Sequence, residues 1–221
     1  MLTRRRGVWA GGFIVYALFW VWYTPWGGPL SQAEIDRHFD GIIQQARASG
    51  NEELLEANRD RMEGMRRFLE SDDGGSFVMV NLMHEVDGAV ELVDGSVAPN
   101  ADAALRPYNA YMLPRLFSRA SHPVLVGSGA ASAFTLGEMS GASEWDSVAL
   151  VRYRSRRDFL AITGTMSFRQ SFQFKASAID RTIAQPITAR IALFDLRFSV
   201  ALVMALLVLA LDRVWGSRPN R

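Results

Sequence analysis

Hydrophobic positions divide the chain into an apolar stretch at each end and a middle part with helix-like and strand-like patterning. No charged residue occurs between Gly7 and Ala33, and a second charge-free run extends from Phe198 to Leu211. A helix of about 20 apolar residues crosses a hydrocarbon core of about 30 Å. The pattern therefore predicts transmembrane helices over 7–26 and, with its charged flanks, over 191–215. A buried helix of the central domain is the alternative for the second run.

The residues that flank the apolar runs predict a membrane topology. Arg4, Arg5 and Arg6 precede the first run, and arginines follow the second. Positive flanks stay in the cytoplasm, so residues 1–6 and 216–221 are predicted to be cytoplasmic. The exit "FWVWYTPWGGPL" lacks the small residues of a signal-peptidase site, which predicts an uncleaved anchor. The expected location is a bacterial inner membrane, with a lipid bilayer as partner and a periplasmic main domain.

A helical hairpin is predicted over 31–71, after the first apolar run. Ser31 and Glu34 have the spacing of a capping box, and Gly50 follows the expected end of the helix at Ala48. A second helix is expected over 52–70, closed by "SDDGGS". Each of these segments has one apolar face, which is typical of two helices that pack together.

The middle of the chain shows the element order β-α-β-β-α-β over residues 77–188. Strand patterns cover 77–86, 123–136, 145–154 and 181–187, and helical spacing covers 102–120 and the segment after Ser155. Turn dipeptides occur at Asp87-Gly88 and Asp94-Gly95. This order is that of an α+β, ferredoxin-like domain. Such a sheet has helices on one face only, so the other face needs cover, and a second subunit would provide it.

Composition and charge remove several classes of function. The formal net charge is +1 over 221 residues, without a basic stripe, so a nucleic-acid partner is not expected. The absence of cysteine excludes disulfides, thiol catalysis and cysteine-ligated zinc. The three histidines, His38, His84 and His122, are scattered and form no metal-binding motif, so neither a metal nor a cofactor is predicted.

Polar and aromatic residues of the β-α-β-β-α-β region supply the candidates for a ligand pocket. Asn81 lies between apolar strand neighbours and needs a hydrogen-bond partner if it is buried. Tyr108 and Tyr111 are three residues apart, so one helix face carries both hydroxyls. These groups either line a small pocket or fasten helix to sheet, and Asp146 and Arg152 either pair or are solvated. The pocket candidates are Asn81, His84, Tyr108, Tyr111, Trp145, Asp146, Arg152 and Tyr153.

The segments "FVMVNLMHEV", "YNAYM", "HPVLVGSG", "EWDSVALVRYRSRRDFLAI" and "FKASAIDRTIAQPI" together resemble the DUF1330-like, dimeric α-β barrel proteins. The resemblance covers about Phe77 to Ile187. It implies that two ferredoxin-like subunits pack their sheets into a barrel, as a homodimer. Members of the family have no agreed activity. Relatives that share the barrel include cofactor-free oxygenases, haem-degrading enzymes and small-lactone isomerases.

Three functions remain open at this point. The first is a membrane-anchored, periplasm-facing dimer that binds a small ligand or a partner without catalysis. The second is a cofactor-independent enzyme, oxygenase-like or isomerase-like, with its site in the barrel cleft around Asn81, His84 and Tyr108. The third is a structural membrane protein whose barrel serves only to dimerise. A pocket lined by Asn81 and a tyrosine favours the first two, whereas a filled cleft favours the third.

Overall fold

The computed structural model describes residues 2–134 and 144–216, and it divides into two compact units. One unit is Met1–Thr24 with Arg190–Arg221, and the other is Pro25–Ala189. The helices are α1 (Leu2–Tyr23), α2 (Gln32–Ala48), α3 (Glu52–Ala57), α4 (Arg59–Glu70), α5 (Ala101–Ser118), α6 (Arg156–Thr163), α7 (Met166–Ala178) and α8 (Leu196–Gly216). The strands are β1 (Phe77–Glu85), β2 (Val90–Glu91), β3 (Val97–Ala98), β4 (His122–Ser128), β5 (Ser147–Tyr153) and β6 (Ile179–Ile187).

The first unit is an antiparallel pair of helices, α1 and α8. The hydroxyl of Tyr16 donates to the carbonyl of Arg197 at 3.1 Å, and the amide of Leu196 donates to the hydroxyl of Tyr23 at 3.4 Å. Near the middle of the pair, Gly12 lies so close to Val208 that an added Cβ would collide with the valine side chain. The absence of a side chain at position 12 thus lets the two helices approach.

Neither α1 nor α8 has the properties of the predicted membrane span. Across residues 2–134 and 144–216, no helix combines the length and the apolar character that crossing a bilayer requires. At 1.5 Å per residue, the charge-free parts of α1 (7–23) and α8 (198–211) cover about 26 Å and about 21 Å, less than a hydrocarbon core of about 30 Å. Arg197 and Asp212 lie inside α8 and interrupt its apolar character.

The transmembrane helices predicted over 7–26 and 191–215 are therefore wrong. The inner-membrane location, with cytoplasmic termini and a periplasmic domain, depends on those spans and is contradicted with them. A lipid bilayer is likewise not supported as a partner. Residues 217–221 of the predicted tail lie outside the part of the chain that the structure describes.

The second unit is built on a four-stranded antiparallel sheet with the strand order β4-β5-β1-β6. In chain order the elements are β1, α5, β4, β5, α6 with α7, and β6. β6 thus pairs with one edge of β1, and β5 pairs with the other edge of β1. This is the ferredoxin-like β-α-β-β-α-β arrangement, so the predicted α+β ferredoxin-like fold is confirmed.

The two faces of the sheet differ in what covers them. Phe77 and its cross-strand neighbour Tyr153 pack in one cluster with Met112 of α5 and with residues of α6. Val80 and its neighbour Leu150 project to the opposite face, because successive residues of a strand alternate. None of the core clusters of the described residues includes Val80 or Leu150. We call the face under α5, α6 and α7 the helix side and the other face the open side.

Side-chain caps set the starts of the helices that cover the helix side. Asn100 caps α5, Ser155 caps α6 and Thr165 caps α7, each by accepting a hydrogen bond from the backbone N–H three residues further on. α5 continues through Pro107 and Pro114, although each proline removes one helical donor. The packing of α5 against the sheet and α7 stabilises it despite those losses.

The N-terminal helices of the second unit follow the sequence prediction in part. Ser31 and Glu34 form the predicted capping box at the start of α2. Ile35 of α2 packs with Leu69 of α4 in a separate core cluster. The single helix predicted over 52–70 is interrupted at Asn58, which divides it into α3 and α4.

The region after β1 contains a short hairpin, β2–β3, that the sequence pattern does not predict. The dipeptide Asp94-Gly95 lies in its turn, where Gly95 has φ +79°, and the amide of Ser96 donates to the Asp94 carboxylate at 3.0 Å. The strand predicted over 123–136 ends at Ser128. Residues 135 and 136 of that prediction lie outside the described residues.

Candidate functional site

The sheet separates the predicted pocket residues into two sets on opposite faces. Asn81 pairs with Ala149, so it lies on the helix side together with Tyr153. His84 lies three residues after Asn81 and pairs with Arg181 on the open side. Arg152 also belongs to the open side, opposite Val78. The structure therefore does not bring Asn81, His84 and Tyr108 together in one cleft of a single subunit.

A cavity of about 1780 Å³ lies on the helix side, between the sheet and the helices α2 to α7. Most of its lining surface is apolar, which is usual for small-molecule sites, and polar and charged residues such as Arg61, Asp102 and Gln173 also line it. We call it the helix-side cavity. The lining residues on which the site argument depends are Met79, Asn81, Met83, Leu105, Tyr108, Met112, Ala149, Tyr153, Phe172 and Lys175.

Asn81 lines the cavity, and the nitrogen of its side-chain amide is bonded to the sheet. Its side-chain nitrogen donates to the carbonyl of Ala149 at 3.2 Å and, less closely, to that of Met79 at 3.4 Å. Among the described residues, no donor forms a hydrogen bond with its side-chain oxygen. The Asn81 carbonyl is therefore an acceptor that a bound molecule would find in place.

Tyr108 and Tyr153 are phenols held in their neutral form. Burial raises the pKa of Tyr108 to about 12, and burial, followed by the neighbouring Tyr108, raises the pKa of Tyr153. The Tyr108 ring meets Phe172 edge to face, with 6.3 Å between centroids, and Tyr153 stacks on Phe77 at 5.2 Å. Both hydroxyls therefore act as hydrogen-bond donors or acceptors near neutral pH, and neither acts as a base.

Tyr111, the third candidate tyrosine, fastens helices together. Its hydroxyl lies 2.7 Å from the hydroxyl of Thr165 and donates to the carbonyl of Ile162 at 3.2 Å. The guanidinium of Arg115 lies 3.7 Å from the centre of its ring. These contacts join α5 to the turn between α6 and α7, so Tyr111 fastens helix to helix, and not helix to sheet as in the alternative to a pocket role.

Lys175 is a cavity residue that our sequence analysis did not select. It is 9% exposed, and its ammonium lies 5.5 Å from the centre of the Tyr108 ring. Burial, followed by the charge of Arg61, lowers the pKa of Lys175. Among residues 2–134 and 144–216, no carboxylate forms an ion pair with it. The sequence carries one usable signal, because Lys175 is the single lysine among 24 lysines and arginines.

His84 and Asp146 form a close polar contact at the end of β1, and Asp146 also lines the helix-side cavity. His84 Nδ1 lies 2.8 Å from Asp146 Oδ2, but the contact lacks the alignment of a hydrogen bond. The same carboxylate oxygen accepts the backbone N–H of Glu85 at 2.7 Å, and the hydroxyl of Ser147 donates to the Glu85 carboxylate at 2.6 Å. Asp146 thus ties the start of β5 to the end of β1, beside a partly exposed imidazole.

Trp145 lies next to this contact. The guanidinium of Arg181 is 5.9 Å from the Trp145 ring centre and 3.4 Å from the Glu144 carboxylate. Trp145 is therefore close to the polar end of the open side, away from the helix-side cavity.

Arg152 has a different position from the one that the sequence suggests. It is 2% exposed and donates to the carbonyl of Ala120 at 2.8 Å. Six residues separate it from Asp146, or about 20 Å along an extended strand, so the two do not pair within one chain. Arg152 instead supports the turn after α5, where Ala120 has a positive φ of 50°. Across the described residues, no three potential metal ligands come together in a cluster.

Comparison with known proteins gives likeness to solved structures only. No family model matches the chain and no curated protein is significantly similar to it, so membership of the DUF1330-like family is not confirmed. Two structures of RPA0582, a protein of unknown function from Rhodopseudomonas palustris, one of them methylated, show 18% and 17% identity and TM-scores of 0.49 and 0.48. They cover 58% of this chain and 91% and 93% of their own. A dimeric protein of unknown function with a ferredoxin-like fold from Bacteroides fragilis shows 9% identity over 52% of this chain and 97% of its own, with a TM-score of 0.33.

Proposed function

We propose that the second unit binds a small, largely apolar molecule in the helix-side cavity. The observation that carries this proposal is the cavity itself, which is lined mostly by apolar surface and has Asn81, Tyr108 and Lys175 among its polar residues. A packed core would fill such a space, since protein interiors tolerate few voids. A large cavity with a mostly apolar lining that also carries polar groups is instead the usual form of a binding site.

The polar groups of the cavity differ in what they offer to a ligand. Asn81 offers a carbonyl acceptor, Tyr108 a neutral hydroxyl and Lys175 an amine. Met79 and Met83 lie on the same side of β1 and provide flexible apolar contacts. A ligand with an apolar body and one polar head satisfies this combination.

We also propose that the open side of the sheet packs against the open side of a second copy. Apolar residues of the edge strands remain accessible there: Leu125 of β4 is 50% exposed and Ile183 of β6 is 45% exposed. Val80 and Leu150 continue this apolar surface across the central strands. A second copy related by a two-fold axis presents the same apolar surface, so the face is self-complementary.

Variants of two neighbouring β5 residues can test these two proposals separately, because the two side chains project to opposite faces of the sheet. Ala149 lines the helix-side cavity, whereas Leu150 lies on the open side and does not line it. Ala149→Phe should fill part of the cavity, and Leu150→Glu should place a charge on the proposed dimer interface. The two variants are matched controls for each other.

The test uses 8-anilinonaphthalene-1-sulfonate (ANS) fluorescence for binding and light scattering for mass. The wild type should bind ANS as a dimer. Ala149→Phe should weaken ANS binding by roughly tenfold or more, which is about 1.4 kcal/mol, and remain dimeric. Leu150→Glu should become monomeric and still bind ANS. ANS binding that Ala149→Phe leaves unchanged would contradict the ligand site, and a monomeric wild type would contradict the dimer.

A further inference from the structure

The single lysine of the chain occupies the ligand cavity, and this placement has a chemical consequence. Arginine serves at every other lysine-or-arginine position of the sequence. A guanidinium keeps its proton in proteins, whereas a lysine amine loses its proton when burial disfavours the charge. Only Lys175 can therefore supply a neutral side-chain amine in this protein.

The surroundings of Lys175 favour that neutral amine. The side chain is buried beside the Tyr108 ring, and in the described part of the chain it has no carboxylate partner. Burial and, to a smaller extent, the positive charge of Arg61 in α4 lower the pKa of Lys175. A lysine in an apolar pocket or beside another cation is the arrangement that activates lysine as a nucleophile.

We propose that Lys175 forms an imine with a small apolar aldehyde or ketone bound in the helix-side cavity. This inference rests on the proposed function and specifies the class of its ligand. The neutral Nζ attacks the carbonyl carbon to give a carbinolamine, and the C–O bond then breaks. The carbonyl oxygen leaves as water with the two amine hydrogens, and a C=N bond remains. No oxidant or reductant takes part in this step.

Other cavity groups suit a carbonyl compound. Tyr108 is neutral near physiological pH and provides a hydroxyl in the same cavity as the amine. The methionines of β1 and Phe172 of α7 contact the apolar part of such a ligand. Together these groups suit a ligand that has one carbonyl group and is otherwise apolar.

The experiment is competitive reductive labelling of the full chain. Hexanal and sodium cyanoborohydride are added at pH 7, with Nα-acetyl-lysine methylamide as the reference amine in the same tube, and peptide mass spectrometry locates the label. Lys175 should be modified roughly tenfold or more faster than the reference, and its rate should saturate with hexanal concentration. Lys175→Arg should abolish the side-chain label, and Ala149→Phe should slow it.

The outcomes distinguish the imine from the ligand site on which it depends. Modification of Lys175 at or below the reference rate, together with intact ANS binding, would overturn the imine and leave the ligand site standing. Fast modification that neither saturates nor responds to Ala149→Phe would contradict the ligand site. Fast, saturable and variant-sensitive modification supports both.

Discussion

Asn81 and His84, three residues apart on β1, project to opposite faces of the sheet. Asn81 shares the helix side with the cavity, and His84 shares the open side with Arg181. A three-residue separation on a strand always has this result, since side chains alternate with a period of two. The ligand site and the proposed dimer interface therefore use different faces, and variants of adjacent residues can test them separately.

Replacing Lys175 by methionine should stabilise the protein at pH 7 by roughly 1 kcal/mol, because burial disfavours the protonated amine that the unfolded lysine carries at that pH. The unfolded lysine keeps its proton up to about pH 10.4, and the folded one releases it at lower pH. Wild-type stability should thus rise between the folded pKa and about pH 10.4, so the advantage of Lys175→Met should shrink there. Urea unfolding at pH 7 and at pH 10 measures the free energy of unfolding of the wild type and of Lys175→Met. Lys175→Arg, which keeps the charge, should show no gain, and an equal Met gain at both pH values would contradict this account.

Asp72 should be far more important for stability than its neighbour Asp73. Its buried carboxylate accepts the amides of Leu30 at 2.9 Å and Gly74 at 3.0 Å and lies 3.6 Å from the Arg156 side chain. Asp72→Ala leaves those two amides without an acceptor and removes the carboxylate beside the buried Arg156 guanidinium, so we expect a loss of about 3 kcal/mol. Asp73→Ala removes only an exposed contact with the amide of Gly75 and should cost less than about 1 kcal/mol. Equal losses in urea unfolding would show that Asp72 does not have this role.

Gly74 and Gly41 should respond to alanine in opposite directions. Gly74 has φ +76°, and a Cβ there would lie 2.7 Å from the backbone of Gly28. Gly74→Ala should destabilise the protein by about 2 kcal/mol or more. Gly41 lies within α2 with open space around its Cβ position, so Gly41→Ala should stabilise by about 0.5–1 kcal/mol. Thermal unfolding measures the stability of the two variants. Destabilisation by both substitutions would contradict this prediction.

Tyr111→Phe should reduce stability without affecting the ligand site. The phenol makes hydrogen bonds to Thr165 and Ile162 that fasten α5 to the α6–α7 turn. Their loss should cost about 1 kcal/mol in chemical unfolding, while ANS affinity stays within about twofold. A large fall in ANS affinity with unchanged stability would assign Tyr111 to the ligand site instead.

The sequence predicts local features well where one residue pattern determines one conformation. The capping box of Ser31 and Glu34 and the turn at Asp94-Gly95 are present as expected, and the β-α-β-β-α-β order follows from strand and helix periodicity. The β2–β3 hairpin has two residues in each strand, too few for any period to show.

The candidate site was predicted less well, for reasons that lie in the tertiary structure. Residue type selected Asn81 and Tyr108, which line the cavity, but it also grouped them with His84 on the other face. The apolar end segments predicted membrane spans because the charged residues near the ends of 191–215 were interpreted as flanks of the apolar run, whereas Arg197 and Asp212 lie inside α8. Lys175 was missed because its being the single lysine of the sequence does not show that it is buried against Tyr108.

Methionine methyl NMR on the full chain tests the ligand site most directly, because it reports where a probe binds. Met79 and Met83 line the helix-side cavity, whereas Met204 lies in α8, which does not contribute to it. On titration with ANS, the methyl signals of Met79 and Met83 should shift and saturate, and that of Met204 should stay in place. Unchanged Met79 and Met83 signals at saturating ANS would contradict a ligand site in this cavity.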